Sequence, residues 1–144
     1  QIFESWAGPV PAAKFEDYSL TPIRQIVERI RARAPSVPII VFPRAAGANY
    51  PRYAHETGAN GISLDAHTSL AFAAKTFPPE TILQGNIDPL ALIAGGDALK
   101  FAVADAKAQT QGRAHIFTLG LGIRPETPIE HVEELLRLIR GQAA

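Results

Sequence analysis

Cysteine and methionine are both absent from this 144-residue sequence. Without cysteine there is no disulfide, no thiolate nucleophile and no thiolate metal cage, which accords with a cytoplasmic protein. Without methionine even at position 1, and opening on the apolar run that begins Gln1-Ile2-Phe3-Glu4, the sequence reads as part of a longer chain. Surplus charge is missing as well, since 14 basic residues balance 14 acidic ones. A chain without net charge has neither the field of a nucleic-acid groove nor a polybasic membrane patch, so small molecules are the expected partners. No run approaches the ~18 consecutive apolar residues of a membrane span, and the first residues lack the basic-then-apolar order of a secretory signal. What is present is ordinary globular composition, 47% apolar and 19% charged, in a length that fits one domain with a real core.

Short apolar runs alternate with helical patterns along the whole chain. The runs Ile2 to Ala7, Val37 to Phe42, Gly61 to Leu64, Thr81 to Leu83 and His115 to Leu119 are too short for helices, and several are rich in β-branched or aromatic residues, which predicts strands. Between them, Ile23, Ile26, Val27, Ile30 and Ala34, and later Ile129, Val132, Leu136 and Ile139, repeat at helical spacing. Ala98 to Ala108 is helical by propensity, and shorter helices are expected over Pro51 to Thr57 and Ser69 to Lys75. Gly58 and Gly112 fall where helices should stop. Thr127 as cap, Pro128 at the first helical position and Glu130 three residues after the cap predict a capping box for the last helix, and Thr21-Pro22 predicts the first helix start in the same way.

Five consecutive strand-helix units with no hairpin signal imply parallel strands joined by right-handed crossovers, in a single domain over 1–144. An open doubly wound sheet and an arc of a barrel both fit. No glycine-rich turn follows the first strand, while polar or Gly/Pro-containing groups follow strand after strand, as at Ser5-Trp6-Ala7-Gly8-Pro9, Pro43-Arg44, Asp65-Ala66-His67, Gly85 to Pro89 and Gly120-Leu121-Gly122. Barrel enzymes place their chemistry in such loops. The fold class read from this pattern is α/β, five βα units forming part of a (β/α)8 TIM barrel.

Among the loop residues, Arg44 is placed to meet a ligand carboxylate with its planar fork, or else to form a surface ion pair. Asp65 and His67, two apart, project to one side if the chain stays extended there. They are either a base with its orienting carboxylate, or too few ligands for zinc, or a carboxylate tied up by loop backbone beside a partly exposed imidazole. Ser5 has no GxSxG elbow around it, so its hydroxyl suits hydrogen bonding to a substrate rather than attack. Gly120-Leu121-Gly122-Ile123-Arg124-Pro125 fails as a dinucleotide fingerprint because Pro125 stands where the third glycine belongs. It is either a tight turn or an anion-binding loop. His55 and His131 are expected on helices facing solvent, and His115 at the start of a strand, on the end of a barrel away from the chemistry.

The same stretches resemble a known family. Gln1 to Gly8 (QIFESWAG), Ile39 to Gly47 (IIVFPRAAG), Glu56-Thr57-Gly58, Leu64-Asp65, Leu83 to Pro89 (LQGNIDP) and Ile116 to Val132 (IFTLGLGIRPETPIEHV) are similar, in order, to the C-terminal part of the uroporphyrinogen decarboxylases. The resemblance implies a barrel, usually dimeric, that removes CO2 from the acetates of uroporphyrinogen in haem synthesis without metal or organic cofactor. It places Ser5 among substrate-contacting residues. The family's paired arginines, pyrrole-binding aspartate and substrate-contacting tyrosine belong to an N-terminal portion outside this sequence, and Leu121 stands where the family carries a substrate-contacting histidine. Asp65 to Ser69, Ala45 and Asn49 also depart from the family pattern.

Ser5, Arg44, Asp65 and Leu121 are therefore the expected substrate-binding residues; no residue is assigned a catalytic role, and no metal or cofactor is expected. The chain alone is expected to be incomplete and inactive, taking a tetrapyrrole only once the barrel is completed. The alternative is an excised or engineered barrel fragment acting as a self-associating scaffold. Corrinoid methyl-transferring relatives of the barrel fit less well, because they typically hold zinc through a cysteine. Five strands with helices on the outside leave an inner face and two edges bare, which a homodimer or the missing N-terminal segment is expected to cover.

Overall fold

Five short strands form a single parallel sheet in the computed structural model, which describes residues 1–141. They are β1 (Ile2–Glu4), β2 (Ile40–Pro43), β3 (Gly61–Ser63), β4 (Ile82–Gln84) and β5 (His115–Ile116), and they lie side by side in the order of the sequence. A doubly wound sheet reverses its strand order; an unbroken order means that every right-handed crossover lays its helix on the same side. The five βα units are thus an arc of a (β/α)8 barrel, at the positions that the apolar runs marked.

Register sorts the strand residues into two faces. Ile2 pairs with Val41, Val41 with Ile62, Ile62 with Leu83 and Leu83 with His115, a row in which Val41, Ile62 and Leu83 are fully buried under the helices. Alternation turns the next row the other way. There Phe3 pairs with Phe42, Ser63 with Gln84 and Gln84 with Ile116. Phe3 is 65% and Ile116 40% exposed, whereas Ser63 and Gln84 between them are buried, so this face lies bare toward its two edges.

The helices are α1 (Thr21–Arg33), α2 (Tyr50–Glu56), α3 (Leu70–Thr76), α4 (Pro89–Ala94), α5 (Gly96–Gln109) and α6 (Ile129–Arg140). Ile23 and Val27 of α1, four apart, are buried in the core, each stabilising by roughly 1.5–3 kcal/mol. The helix does not begin at a Thr21 cap. A π-turn over Glu16–Leu20 runs straight into it, because Phe15, Ser19 and Leu20 are buried and draw the segment into register with α2. Phe15 meets Tyr53 edge-on at 5.6 Å, and the Thr21 hydroxyl donates to Glu16 Oε1 at 3.0 Å instead of capping.

The expected capping box of α6 is absent too. Pro128 is extended (ψ 138°) and is itself the cap residue, which moves Thr127 one position too early and leaves its hydroxyl buried without a partner. By contrast α3 has a side-chain cap, Ser69 Oγ accepting from Phe72 N–H at 3.2 Å. α4 falls in what the sequence suggested was loop; Asp88 accepts from Leu90 N–H at 2.8 Å and Pro89 takes the first position, a start signal that was readable. His131 does not face solvent either. It is half-buried, with Nδ1 3.0 Å from Leu92 O and its ring over Gly95, where a Cβ would lie 2.4 Å from the imidazole.

His115 carries the fold's clearest pH sensitivity. Its Nε2 lies 2.6 Å from Gly85 O and so donates, while the buried Nδ1 has no partner. Burial disfavours the charged ring and holds its pKa below the ordinary 6.5. With the folded value depressed, the neutral ring's contribution is complete above pH 6.5 and is lost as pH falls through the folded pKa. The urea midpoint is expected to fall between about pH 7.5 and pH 5, and to fall less in His115→Phe, which cannot titrate. Parallel pH profiles for the two proteins would contradict the assignment.

Candidate functional site

The site lies where the strands end. After β2 the backbone of Arg44 is pinned on both sides, its N–H donating to Glu4 O at 3.0 Å and its carbonyl accepting from Gly8 N–H at 3.1 Å. Ala45 follows in the left-handed region at φ 60°, an unusual place for a residue with a Cβ. Its N–H donates to Asp65 Oδ2 at 2.9 Å, which compensates for that conformation.

Asp65, just beyond β3, is the hub of the rim. Its Oδ2 also accepts from the Tyr50 hydroxyl at 2.8 Å, and its Oδ1 accepts from His67 N–H at 3.0 Å and from the Thr68 hydroxyl at 3.1 Å. Two donors on each oxygen satisfy the buried carboxylate within the protein. Burial and the neighbouring carboxylate push the Tyr50 phenol far above its ordinary pKa, so it remains a donor at any working pH. The chain is not extended here: Thr68 N–H turns back onto Asp65 O at 3.2 Å, so Asp65 is buried while His67 is exposed. Of the alternatives open at this pair, the chain takes the one in which loop backbone ties up the Asp65 carboxylate beside an exposed His67, and the extended arrangement with both side chains on one side does not form.

Loops from β4 and β5 lock onto the same segment. The Asn86 amide donates to Asp65 O at 2.7 Å and Thr68 O at 2.6 Å. Gly120 packs so tightly that a Cβ there would stand 2.2 Å from Ala66 N. The first glycine of Gly120-Leu121-Gly122 thus admits a neighbouring loop of this chain.

Between these loops lies a cleft of about 320 Å³ whose walls include Arg44, Asp65, His67, Asp88, Leu121 and Arg124. Three of the four expected residues, Arg44, Asp65 and Leu121, therefore meet in one place. Ser5 is not on its walls; it sits exposed in the turn after β1. Leu121 also borders a second hollow, about 340 Å³, floored on the inner sheet face by Phe3, Phe42, Ser63 and Gln84. There Gln84 Nε2 donates to Ser63 Oγ at 3.2 Å, and the two phenylalanine rings meet edge-on at 6.2 Å.

Arg44 is exposed and, among the described residues, has no hydrogen bond or ion pair to its guanidinium, whereas Arg124 lies 3.9 Å from Glu126. Two guanidinium groups on one cleft suit an anionic ligand. No group of three or more potential metal ligands occurs among the described residues, and no helix there is long and apolar enough to cross a membrane. Sequence reasoning missed Tyr50, Asn86 and Arg124. The Asn86 position was visible only as part of a motif, and nothing in the Tyr50-Pro51 pair announces a buried phenol aimed at a carboxylate 15 residues away. Substituting Gly120→Ala is expected to cost about 1–3 kcal/mol in urea unfolding, while Gly122→Ala, with nothing within 4 Å of its Cβ, is expected to be neutral. Equal effects at the two positions would refute the close approach.

Comparison with known proteins gives the site its context. The family model described as uroporphyrinogen decarboxylase matches residues 1–142. The uroporphyrinogen decarboxylase of Granulibacter bethesdensis is 49% identical over 139 residues, which cover 96% of this chain and 40% of that protein. That of Rhizorhabdus wittichii is 45% identical over 141 residues, covering 98% of this chain and 41% of its own length. The chain thus spans about 40% of the length of the curated relatives it matches. A solved methyltransferase from Methanosarcina mazei superposes with a TM-score of 0.78 over 97% of this chain and 41% of its own, at 18% identity, a likeness of fold alone. With a family match running from the first strand through the last helix, the chain belongs to the uroporphyrinogen decarboxylase family.

Proposed function

We propose that this chain forms the C-terminal share of a cytoplasmic barrel whose cleft binds a uroporphyrinogen-like tetrapyrrole and removes CO2 from its acetate side chains. The observation that carries the reading is the convergence of Arg44 and Arg124 on one cleft at the strand ends, next to a hollow floored by Phe3 and Phe42. A substrate with many carboxylates on apolar rings needs both kinds of surface: planar cations for the acids, and aromatic or aliphatic side chains for the rings.

Each decarboxylation breaks the bond between the acetate methylene and its carboxyl carbon, releases CO2, and places a proton on the methylene carbon. The departing electron pair needs a ring made electron-poor, which a proton delivered to the pyrrole supplies; the ring gives that proton up again once the methylene carbon is protonated, so one proton is consumed per CO2. In this chain Arg44 and Arg124 hold carboxylates, Leu121 contributes an apolar wall and carries no proton, and the Ser5 hydroxyl offers a hydrogen bond from the edge of β1. No side chain here is assigned the proton delivery, so the single domain over 1–144 is incomplete and inactive alone. Further strands from an N-terminal segment, or a second copy, cover the bare face.

Two measurements test this reading. In the polypeptide that carries this chain, Arg44→Ala is expected to weaken uroporphyrin binding, followed by porphyrin fluorescence, by about tenfold or more, the loss of a charge-assisted pair. Its unfolding midpoint should not move, because the guanidinium has no protein partner among the described residues. Binding within about twofold of the unsubstituted protein would overturn the pocket assignment. By light scattering, the isolated chain is expected to exceed its 15.5 kDa monomer mass, since Phe3, Ile116 and the 71%-exposed Trp6 stand uncovered. A strict monomer would contradict the need for cover.

A further inference from the structure

We propose that Asp65 and Tyr50 act as positioning residues for the cleft, and that Asp65 is not itself a ligand of the substrate. The inference rests on the tetrapyrrole reading of the cleft and deepens it.

Every interaction that the structure gives the Asp65 carboxylate runs to its own protein. Oδ2 takes Ala45 N–H at 2.9 Å and Tyr50 Oη at 2.8 Å; Oδ1 takes His67 N–H at 3.0 Å and Thr68 Oγ1 at 3.1 Å. Two donors on each oxygen leave little acceptor capacity for the pyrrole N–H groups of such a ligand. The four donors instead offset the charge of a buried anion on the wall of an anion-binding cleft, where a bare one would repel the ligand.

What those bonds hold in place is the useful part. Ala45 N–H belongs to the peptide that follows Arg44, and His67 N–H to the residue on the facing loop; both residues line the cleft. One carboxylate therefore sets the backbone from which Arg44 and His67 project. Tyr50 completes the arrangement from the start of α2. Its hydroxyl donates to Oδ2 and accepts from Asp65 N–H at 3.2 Å, so a single side chain fixes both ends of the aspartate. Ala45 has a strained conformation whose compensation is that hydrogen bond, so loosening Asp65 frees the Arg44 loop first.

The test uses Tyr50→Phe, which keeps the ring and removes only the hydroxyl, in the polypeptide that carries this chain. Amide hydrogen exchange at Ala45 and His67 is expected to quicken by about tenfold, with exchange in β3 and β4 unchanged. Uroporphyrin binding is expected to weaken by about three- to tenfold in the Arg44 background and not at all in the Arg44→Ala background, the signature of an effect transmitted through Arg44. Thr68→Val removes a donor from the other oxygen and provides the same reading if Tyr50→Phe does not fold. Unchanged exchange at Ala45 would overturn the positioning role, as would an equal loss of binding in both backgrounds. An Arg44→Ala protein that binds uroporphyrin normally sinks the tetrapyrrole reading instead, and the exchange measurement then decides the clamp separately.

Discussion

A parallel strand can reach its neighbour only by a crossover, and crossovers between right-twisted strands turn one way. In this chain that constraint acts four times without a reversal, and most of the molecule follows from it. All helices fall on one side, so one row of strand residues is sealed beneath them, while in the alternate row Ser63 and Gln84 are buried and Phe3 and Ile116 stand exposed. All strand ends point the same way, so five loops gather at one rim. Arg44, Asp65, Leu121 and Arg124 come from distant parts of the sequence, yet they meet because each follows the end of a strand.

The elements were legible because their signals are periodic and backed by burial. Val41, Ile62 and Leu83 sit in short apolar runs, and the structure buries those three completely. Helix starts were less legible, and the reason is tertiary. Thr21 carries a sound local start signal, but burial of Phe15 and Leu20 extends the helical path upstream of it. Thr127 fails because Pro128 adopts an extended ψ. A proline's φ suits either conformation, so its place at the first helical position could not be told from the cap itself. The start that was passed over, Asp88-Pro89, keeps its local chemistry, with Asp88 accepting from Leu90 N–H and Pro89 at the first helical position.

The site divides along similar lines. Arg44 and Leu121 were found from their place after strands, and both line the cleft. Asp65 was found as well, but a sequence does not tell a carboxylate that faces a ligand from one that faces four donors of its own protein. That distinction needs Tyr50, whose role depends on a contact between the start of α2 and the end of β3. Ser5 lies apart from the cleft walls, exposed in the turn after β1.

The left-handed turn at Ala45 restricts which sequences can occupy this rim. Valine, isoleucine and threonine are unwelcome at that position, because a branched Cβ does not tolerate positive φ, while glycine and asparagine enter easily. The restriction reaches across to position 8, where a Cβ would come within 2.7 Å of the Ala45 methyl. The Ala45 carbonyl oxygen lies 2.9 Å from the same point, so even a glycine at 45 would not make room for a side chain at 8. Position 8 is thereby held to glycine by the path of the second loop, and a library that randomises it samples mostly chains whose first two loops no longer close on each other.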